Sequence, residues 1–350
     1  MGNSIQKRND YKGIEKQRGK KEYNMKKAVT LFLLCLTLGL SIFNDAQAAQ
    51  ENPEPEIKGK MVYHTYSSYE AQDSKLYVYD FSSKENRCIS EELTGVTDAM
   101  NGDFGSESDE IIFMGISVQY NEWHIYRYNL KSRKLTDLTP GNEYSYQDPK
   151  YSPDGKKIVY KRGKWDNKRN TMVYDIVEKN LSDLSQIKLT NDVYEDSMPY
   201  YSMDGKKVYY ARGVRKNSAI YSVTTSEPHR ISKVYGANNI CSYYPITDGN
   251  GSLYFSKWYS AQNETDQIME MKTDTKSIKS LAFNSKDYNC SDACPVFGEY
   301  MIISSTKAGG QGNYDLYIVN KNSGAMWSLN NYNQTINDAN HQLGASFLEK

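Results

Sequence analysis

The sequence predicts an all-β chain made of six copies of one four-stranded antiparallel unit, and three observations predict it. Two segments, Pro149–Tyr160 and Pro199–Tyr210, match closely at a spacing of 50 residues. Weaker copies of the same strand pattern lie on both sides of them. The first copy lacks an innermost strand, and the C-terminal run Leu343–Phe347 is a strand with no copy of its own. Fixed-period self-similarity of this length marks a repeat architecture, in which each unit buries its apolar faces against its neighbours.

The N-terminus must be set aside first. Residues 1–24 are polar and basic without apolar periodicity, and are expected to be an extension. Met25-Lys26-Lys27, an apolar run from Ala28 to Phe43 and the small residues Ala46 to Ala49 predict a signal peptide over residues 25–48. The apolar run is 16 residues long, short of the roughly 20 that span a bilayer. Met25 is a candidate initiator, and an uncleaved membrane anchor is the alternative. A linker is expected over 49–57 and the repeat domain over 58–350, in a secreted or periplasmic protein.

The two sharp copies explain the rest. In each, a strand runs into an Asp-Gly turn (Asp154-Gly155, Asp204-Gly205) and returns as a β-branched and aromatic strand. A third strand follows at Thr171–Asp175 and Ala219–Val223, and a fourth at Ile187–Thr190 and His229–Ser232. Four strands at this period make one propeller blade. Copies before and after, such as Glu110–Met114 with Trp123–Tyr128, or Tyr300–Ser304 with Asp315–Val319, bring the number to six. Leu343–Phe347 supplies the strand missing from the first copy. The expected fold is a six-bladed β-propeller of four-stranded antiparallel blades, closed by pairing of the C-terminal strand with the first blade. Closure removes sheet edges that would invite aggregation.

The run Leu138-Thr139 … Asp148-Pro149-Lys150-Tyr151-Ser152-Pro153-Asp154-Gly155 resembles the WD40-like (PD40) repeat of TolB-type propellers. The blade from Leu189 to Tyr210 is similar, with Met203 where the motif has Pro. The resemblance implies an exported six-bladed propeller that binds a protein or ligand. TolB proper carries a separate N-terminal α/β domain, for which there is no room between Ala49 and Gly59.

Propeller geometry puts the second-to-third loops and the blade-to-blade connections on one face, and here that set is the longer and chemically richer. The candidate ligand-binding residues are Tyr144, Tyr146, Asp148, Tyr194, Glu195, Asp196, Tyr243, Tyr244 and Asp292 from connections, with Trp165, Arg212 and Trp258 from second-to-third loops. Arg162, Lys164, Lys168, Arg169, Arg215 and Lys216 form a basic sector beside them. Aromatic faces with polar tips suit a protein or glycan ligand. The alternative is that these tyrosines pack between blades, since the chain holds 31 of them.

No nucleophile elbow, zincin or phosphate-loop motif is present. No cofactor or metal is expected, and His64, His124, His229 and His341 do not stand at ligand spacing. Removing the nine Lys/Arg and four Asp/Glu of the first 48 residues leaves 34 basic against 39 acidic residues. That balance excludes a nucleic-acid partner. Binding or scaffolding without catalysis is expected, to a cell-envelope or extracellular protein or glycan; the membrane is touched only through an uncleaved signal segment. The alternative is a carbohydrate-active enzyme, a lyase or hydrolase, drawing paired carboxylates from the same face. Four cysteines follow the signal segment. Cys241 and Cys290 are the candidate disulfide, Cys294 is the rival partner, and free buried thiols are the other reading.

Overall fold

The protein is described by a computed structural model over residues 53–105, 109–213 and 215–349. Blade 1 comprises β1 (Gly59–Tyr66), β2 (Lys75–Asp80) and β3 (Glu85–Cys88). Blade 2 comprises β4 (Val96–Phe104), β5 (Glu110–Ser117), β6 (Glu122–Asn129) and β7 (Leu135–Asp137). Blade 3 is β8 (Ser145–Tyr151), β9 (Lys157–Asp166), β10 (Thr171–Asn180) and β11 (Gln186–Lys188). Blade 4 is β12 (Asp196–Tyr201), β13 (Lys207–Arg212), β14 (Ala219–Thr224) and β15 (Ile231–Tyr235). Blade 5 is β16 (Ser242–Thr247), β17 (Ser252–Trp258), β18 (Asp266–Lys272) and β19 (Ile278–Ser280). Blade 6 is β20 (Cys290–Pro295), β21 (Tyr300–Ser305), β22 (Asp315–Asn320) and β23 (Met326–Ser328). β24 (His341–Glu349) then pairs antiparallel with β1, Tyr66 opposite His341 and Gly59 opposite Glu349. The six-bladed fold and its closure are as the sequence predicts. The extension and signal segment lie outside the described residues. Ile57, assigned to the linker, is 5% exposed and packs in the propeller core.

The core is divided into six apolar clusters, one at each junction between neighbouring blades. Val62 and Leu76 meet Ile111 and Phe113 between blades 1 and 2, and Val159 and Ile176 meet Val208 and Tyr210 between blades 3 and 4. Met61 and Tyr79 meet Ile302 and Ile318 where blade 6 closes on blade 1. Central strands are covered on both faces, so they read as unbroken apolar runs such as Ile111-Ile112-Phe113, rather than as alternation.

Turn chemistry repeats with the blades. Ser152 Oγ donates to Asp154 Oδ1 at 2.7 Å and accepts from Lys157 N–H, while Gly155 takes a left-handed φ of 68°. Ser202, Asp204 and Gly205 repeat this arrangement. A second repeat is legible only in three dimensions. The fourth strands are short and leave one buried N–H of the third strand without a ladder partner. A side chain supplies the acceptor: Ser90 for Leu76, Thr139 for Ile125, Thr190 for Ile176, Asn284 for Ile268 and Asn337 for Leu316, all at 2.8–2.9 Å. Buried backbone groups must be paired, and three residue types meet the same need.

The innermost strands begin earlier than the sequence suggests. Tyr146, Asp148, Asp196, Tyr243, Tyr244 and Asp292 lie within β8, β12, β16 and β20, not in connections. Each strand carries a β-bulge, which breaks the alternation by which strands are read.

Candidate functional site

The bulges fall at one height around the central channel. The left-handed residues there are Asn101, Asp148, Met198, Tyr244, Asp292 and Gly344, one per blade, with φ between 50° and 63°. In sequence they stand 47, 50, 46, 48 and 52 residues apart. Left-handed backbone is uncommon outside glycine and an outlier for a bulky side chain, at a cost of roughly 1–2 kcal/mol each. Four of these residues donate their backbone N–H to a side chain of the preceding blade. Asn101 donates to His64 Nδ1 at 3.4 Å, Asp148 to Met114 Sδ at 3.4 Å, Met198 to Asp148 Oδ2 at 3.3 Å and Gly344 to Asp292 Oδ2 at 3.3 Å. The bulge therefore stitches the blades together and turns one residue of each toward the axis.

These residues line an axial pocket of about 60 Å³, together with Lys150, Tyr200 and Ile246. Asp148 of blade 3 stands across it from Asp292 of blade 6, half a turn of the ring away. Asp148 accepts from Asn101 Nδ2 at 2.9 Å and lies 3.7 Å from the buried Lys161 ammonium. Asp292 accepts only from neutral groups, Ser291 Oγ at 3.1 Å, Ser304 Oγ at 3.5 Å and the Gly344 N–H, and burial pushes its pKa up. The pocket thus offers an ion-paired carboxylate facing one that burial favours in its neutral form.

Two residues further along the strands the channel is crossed by bonds. Lys150 Nζ lies 3.2 Å from Asp103 Oδ1, which also accepts from Ser346 Oγ at 2.9 Å. These contacts tie blades 1, 2 and 3 together, and a second cavity of about 170 Å³ lies against them, lined by Asp103, Lys150, Tyr200, Cys294 and Ser346.

The mouth on that face is aromatic. His64, Tyr66, His341 and Tyr314 form a continuous ring stack along blades 1 and 6, with centroids 5.8, 5.1 and 5.9 Å apart. Burial, with Lys150 nearby, holds the His64 pKa down to about 3, and burial lowers His341. Asp266, first residue of β18, lies beside the Tyr243 hydroxyl and accepts from Tyr314 OH at 3.3 Å. It is 7% exposed, its Oδ1 has no partner, and burial raises its pKa to about 6.

The structure brings together Asp148, Tyr243, Tyr244 and Asp292 of the sequence candidates. Others are engaged elsewhere. Asp196 is fully buried and holds Arg212 through Nε and Nη2 at 2.7 and 2.8 Å. The guanidinium also binds Asp192 and stacks on Tyr194, Tyr210 and Tyr221, so Arg212 clamps blade 4. Tyr146 packs against His124 and Tyr160 between blades 2 and 3. Tyr144 lies under Arg162 and Lys164. Glu195 bridges to Tyr174 near the mouth, and Trp258 ends β17 opposite Asp266. Trp165 is carried outward, 51% exposed, on the long β9–β10 hairpin. Three residues of the basic sector are ion-paired: Lys164 with Glu143, Arg169 with Asp166 and Lys216 with Glu264.

Cys241 and Cys290 are free thiols, as are Cys88 and Cys294. Cys241 Sγ lies 3.0 Å from Ser218 Oγ, and Cys290 Sγ 3.7 Å from Ser305 Oγ, so each thiol has its own buried hydroxyl. His64 lies on β1, against the innermost strand, and touches the channel ring at Asn101. Among the described residues no three His, Cys, Asp or Glu side chains gather as a metal site requires. Sequence reading missed Tyr66, Asn101, Met198, Asp266, Tyr314 and Gly344. The one available signal is the spacing of the bulge positions, and the five residue types that occupy the six positions conceal it.

Among solved structures this chain is similar to TolB from Acinetobacter baumannii, with a TM-score of 0.64 and 14% identity over 87% of this chain and 70% of that one. The fold is that of a TolB-like propeller. Hydrazine synthase of Kuenenia stuttgartiensis matches with a TM-score of 0.67 and 11% identity over 85% of this chain and 47% of the other. A chain of the nidogen/laminin complex matches at 0.57 and 9% identity, over 83% of this chain and 98% of that one. No protein-family profile matches this chain, and neither does any curated protein. At these identities the likeness establishes fold, and one fold serves many functions.

Proposed function

We propose that this chain is an exported binding or scaffold propeller of the WD40-like repeat type, which takes a protein or carbohydrate ligand at the loop-rich mouth of its axial channel. The observation that carries the reading is the ring of six left-handed residues at the pocket, whose side chains run from Met198 and Tyr244 to the two acids Asp148 and Asp292. Strain of this kind persists where the surrounding structure over-determines it, as at ligand sites. The ring gives a symmetric scaffold an asymmetric, rigid recognition surface, rimmed by tyrosines that offer contact area at low entropic cost. The N-terminal sequence and the TolB-like fold support export. The test is binding of the full chain to glycan arrays and to cell-envelope and extracellular protein fractions, repeated with Tyr66→Ala and Tyr244→Ala. Specific binding lost in both variants supports the reading; binding that survives both places the ligand elsewhere.

One observation favours a second reading, a carbohydrate lyase or hydrolase: Asp148 and Asp292 face each other across a single pocket in unlike electrostatic settings, as an acid/base pair does. Glycan turnover abolished in Asp148→Asn and Asp292→Asn, with binding retained, supports catalysis. Binding without turnover rejects it.

A further inference from the structure

We propose that His124 is a pH-sensitive latch: as an imidazolium it ties β6 to the connection between blades 2 and 3, and loss of its proton frees that connection on the loop-rich face. This device is distinct from the ligand site above and operates whichever ligand the mouth takes.

The His124 imidazole is fully buried and lies between two acceptors. Nδ1 is 2.7 Å from Asp137 Oδ2 on β7, and Nε2 is 2.7 Å from the Gly141 carbonyl oxygen in the connection. An ionised carboxylate and a carbonyl only accept, so the ring satisfies both when each of its nitrogens carries a proton. A neutral ring, in either tautomer, turns a lone pair on one of these oxygens at hydrogen-bond distance and leaves that acceptor without its donor. Burial opposes the charge, but the hydrogen bond and charge of Asp137, followed by the Gly141 carbonyl, outweigh it and hold the His124 pKa above 6.5.

Blade 3 shows the same bridge made from other residues. His124 precedes Ile125 as Asp175 precedes Ile176. Asp137 and Lys188 each stand two residues before the threonine that accepts from that isoleucine, Thr139 in one blade and Thr190 in the other. Here too a cation joins a carboxylate to the outgoing connection: Lys188 Nζ lies 2.6 Å from Asp175 Oδ2 and 3.2 Å from Asn191 Oδ1. The two strands have exchanged charges, yet the cation between carboxylate and connection is kept. Imidazole is the side chain whose ordinary pKa lies near neutrality, so blade 2 carries the titratable version of the bridge.

The groups packed around the ring set its bias. Tyr120 of the β5–β6 loop and Tyr126 of β6 stack on it, and Tyr146 of β8 meets it edge-on, with centroids 5.3, 6.1 and 6.2 Å away. β5 places Gly115 opposite it, and Glu122 of β6 adds a second negative charge. The cations of blade 3 are turned to other partners: Lys179 of β10 donates to the Leu138 carbonyl at 2.7 Å, Arg162 lies over the Tyr144 ring and Lys164 pairs with Glu143. The start of the connection is fixed without His124, by the Leu138 N–H on the Ile125 carbonyl at 2.9 Å and by Thr139. What the latch holds is the stretch after it, which carries Tyr144 and runs into Tyr146 and the ring residue Asp148.

The test uses the full chain with isotope-labelled histidine, followed by long-range proton–nitrogen spectra of the imidazoles. Backbone hydrogen exchange at Tyr144–Asp148 is measured at pH 6 and pH 9 and corrected for intrinsic rates. His124 is expected to carry protons on both nitrogens at pH 6 and to titrate at higher pH than the histidines of the urea-unfolded chain. A closed state that holds one more proton than the opened state loses stability as pH rises through the closed-state pKa, so protection at Tyr144–Asp148 should fall roughly threefold or more from pH 6 to pH 9. The corresponding stretch of blade 4, Tyr194–Met198, is the unchanged reference. His124→Gln should abolish the difference, and Asp137→Asn should move the His124 midpoint down. A ring with a single N–H at pH 6, a midpoint no higher than that of the unfolded chain, or the same loss of protection in folded His124→Gln overturns the proposal. The wild-type spectra decide even where His124→Gln does not fold, because a merely structural imidazole needs no second N–H.

Discussion

Gly344 is the ring position where the backbone argument can be tested most sharply. Its φ is 63°, and a Cβ placed on it would lie 2.5 Å from His64 Cε1, 2.7 Å from His64 Nδ1 and 3.1 Å from Asn101 Oδ1. Gly344→Ala therefore carries two penalties. The left-handed conformation costs an L-residue roughly 1–2 kcal/mol. Displacing the buried His64 ring adds about 1–3 kcal/mol for overpacking, giving roughly 2–5 kcal/mol together. Gly95→Ala separates the two, because Gly95 has φ of 76° and nothing within 4 Å of the added carbon. It should lose only the first term. In matched thermal melts followed by circular dichroism, each kcal/mol shifts the midpoint of a domain this size by about 2–4 °C. Gly344→Ala should melt well below Gly95→Ala, by roughly 2–12 °C. Equal losses in the two variants would refute the claim that the ring packs blade against blade at this height.

Three further outcomes follow from the same structure. Thr190→Val leaves the buried Ile176 N–H without its 2.9 Å acceptor and should cost about 1–3 kcal/mol in denaturant unfolding, with Thr190→Ser restoring most of it. Asp266 has its pKa raised from 3.8 to about 6 by burial, so the native state holds the extra proton between those values and stability falls as pH rises from about 4 to 6. Asp266→Asn should remove that slope and unfold at higher denaturant than wild type at pH 7, by up to about 3 kcal/mol; an unchanged pH profile contradicts the assignment. Cys290 and Cys294 are buried with thiol pKa values pushed up to about 12, so native alkylation should mark Cys88 first and reach Cys241, Cys290 and Cys294 only on unfolding. A Cys241–Cys290 bridge would instead show as a linked peptide pair.

The repeat was legible in the sequence because its signal is local. An Asp-Gly turn between two apolar strands needs a particular backbone, and only a few residue types provide it, so Ser152–Gly155 and Ser202–Gly205 resemble each other. Strands buried on both faces need only bulk, which Ile111–Phe113 and Ile302–Ile303 supply. Closure by Leu343–Phe347 could be inferred by elimination, since the first blade had no inner strand. The site was only partly legible. Asp148, Tyr244 and Asp292 were marked, but as loop residues, because a bulge breaks the two-residue period that defines a strand in sequence.

What tertiary structure alone decided is which of these groups already have partners. Arg212 and Asp196 read as exposed functional candidates and are a buried clamp. Asp266 opens an outer strand and gave no signal, yet it stands without a counter-ion at the channel mouth. The five acceptors Ser90, Thr139, Thr190, Asn284 and Asn337 do one job with three chemistries. Fold follows from patterns that neighbours in the chain must share. Pairing and desolvation depend on residues brought together from different blades, so the sequence sets the scaffold and the ring closure sets the chemistry at its axis.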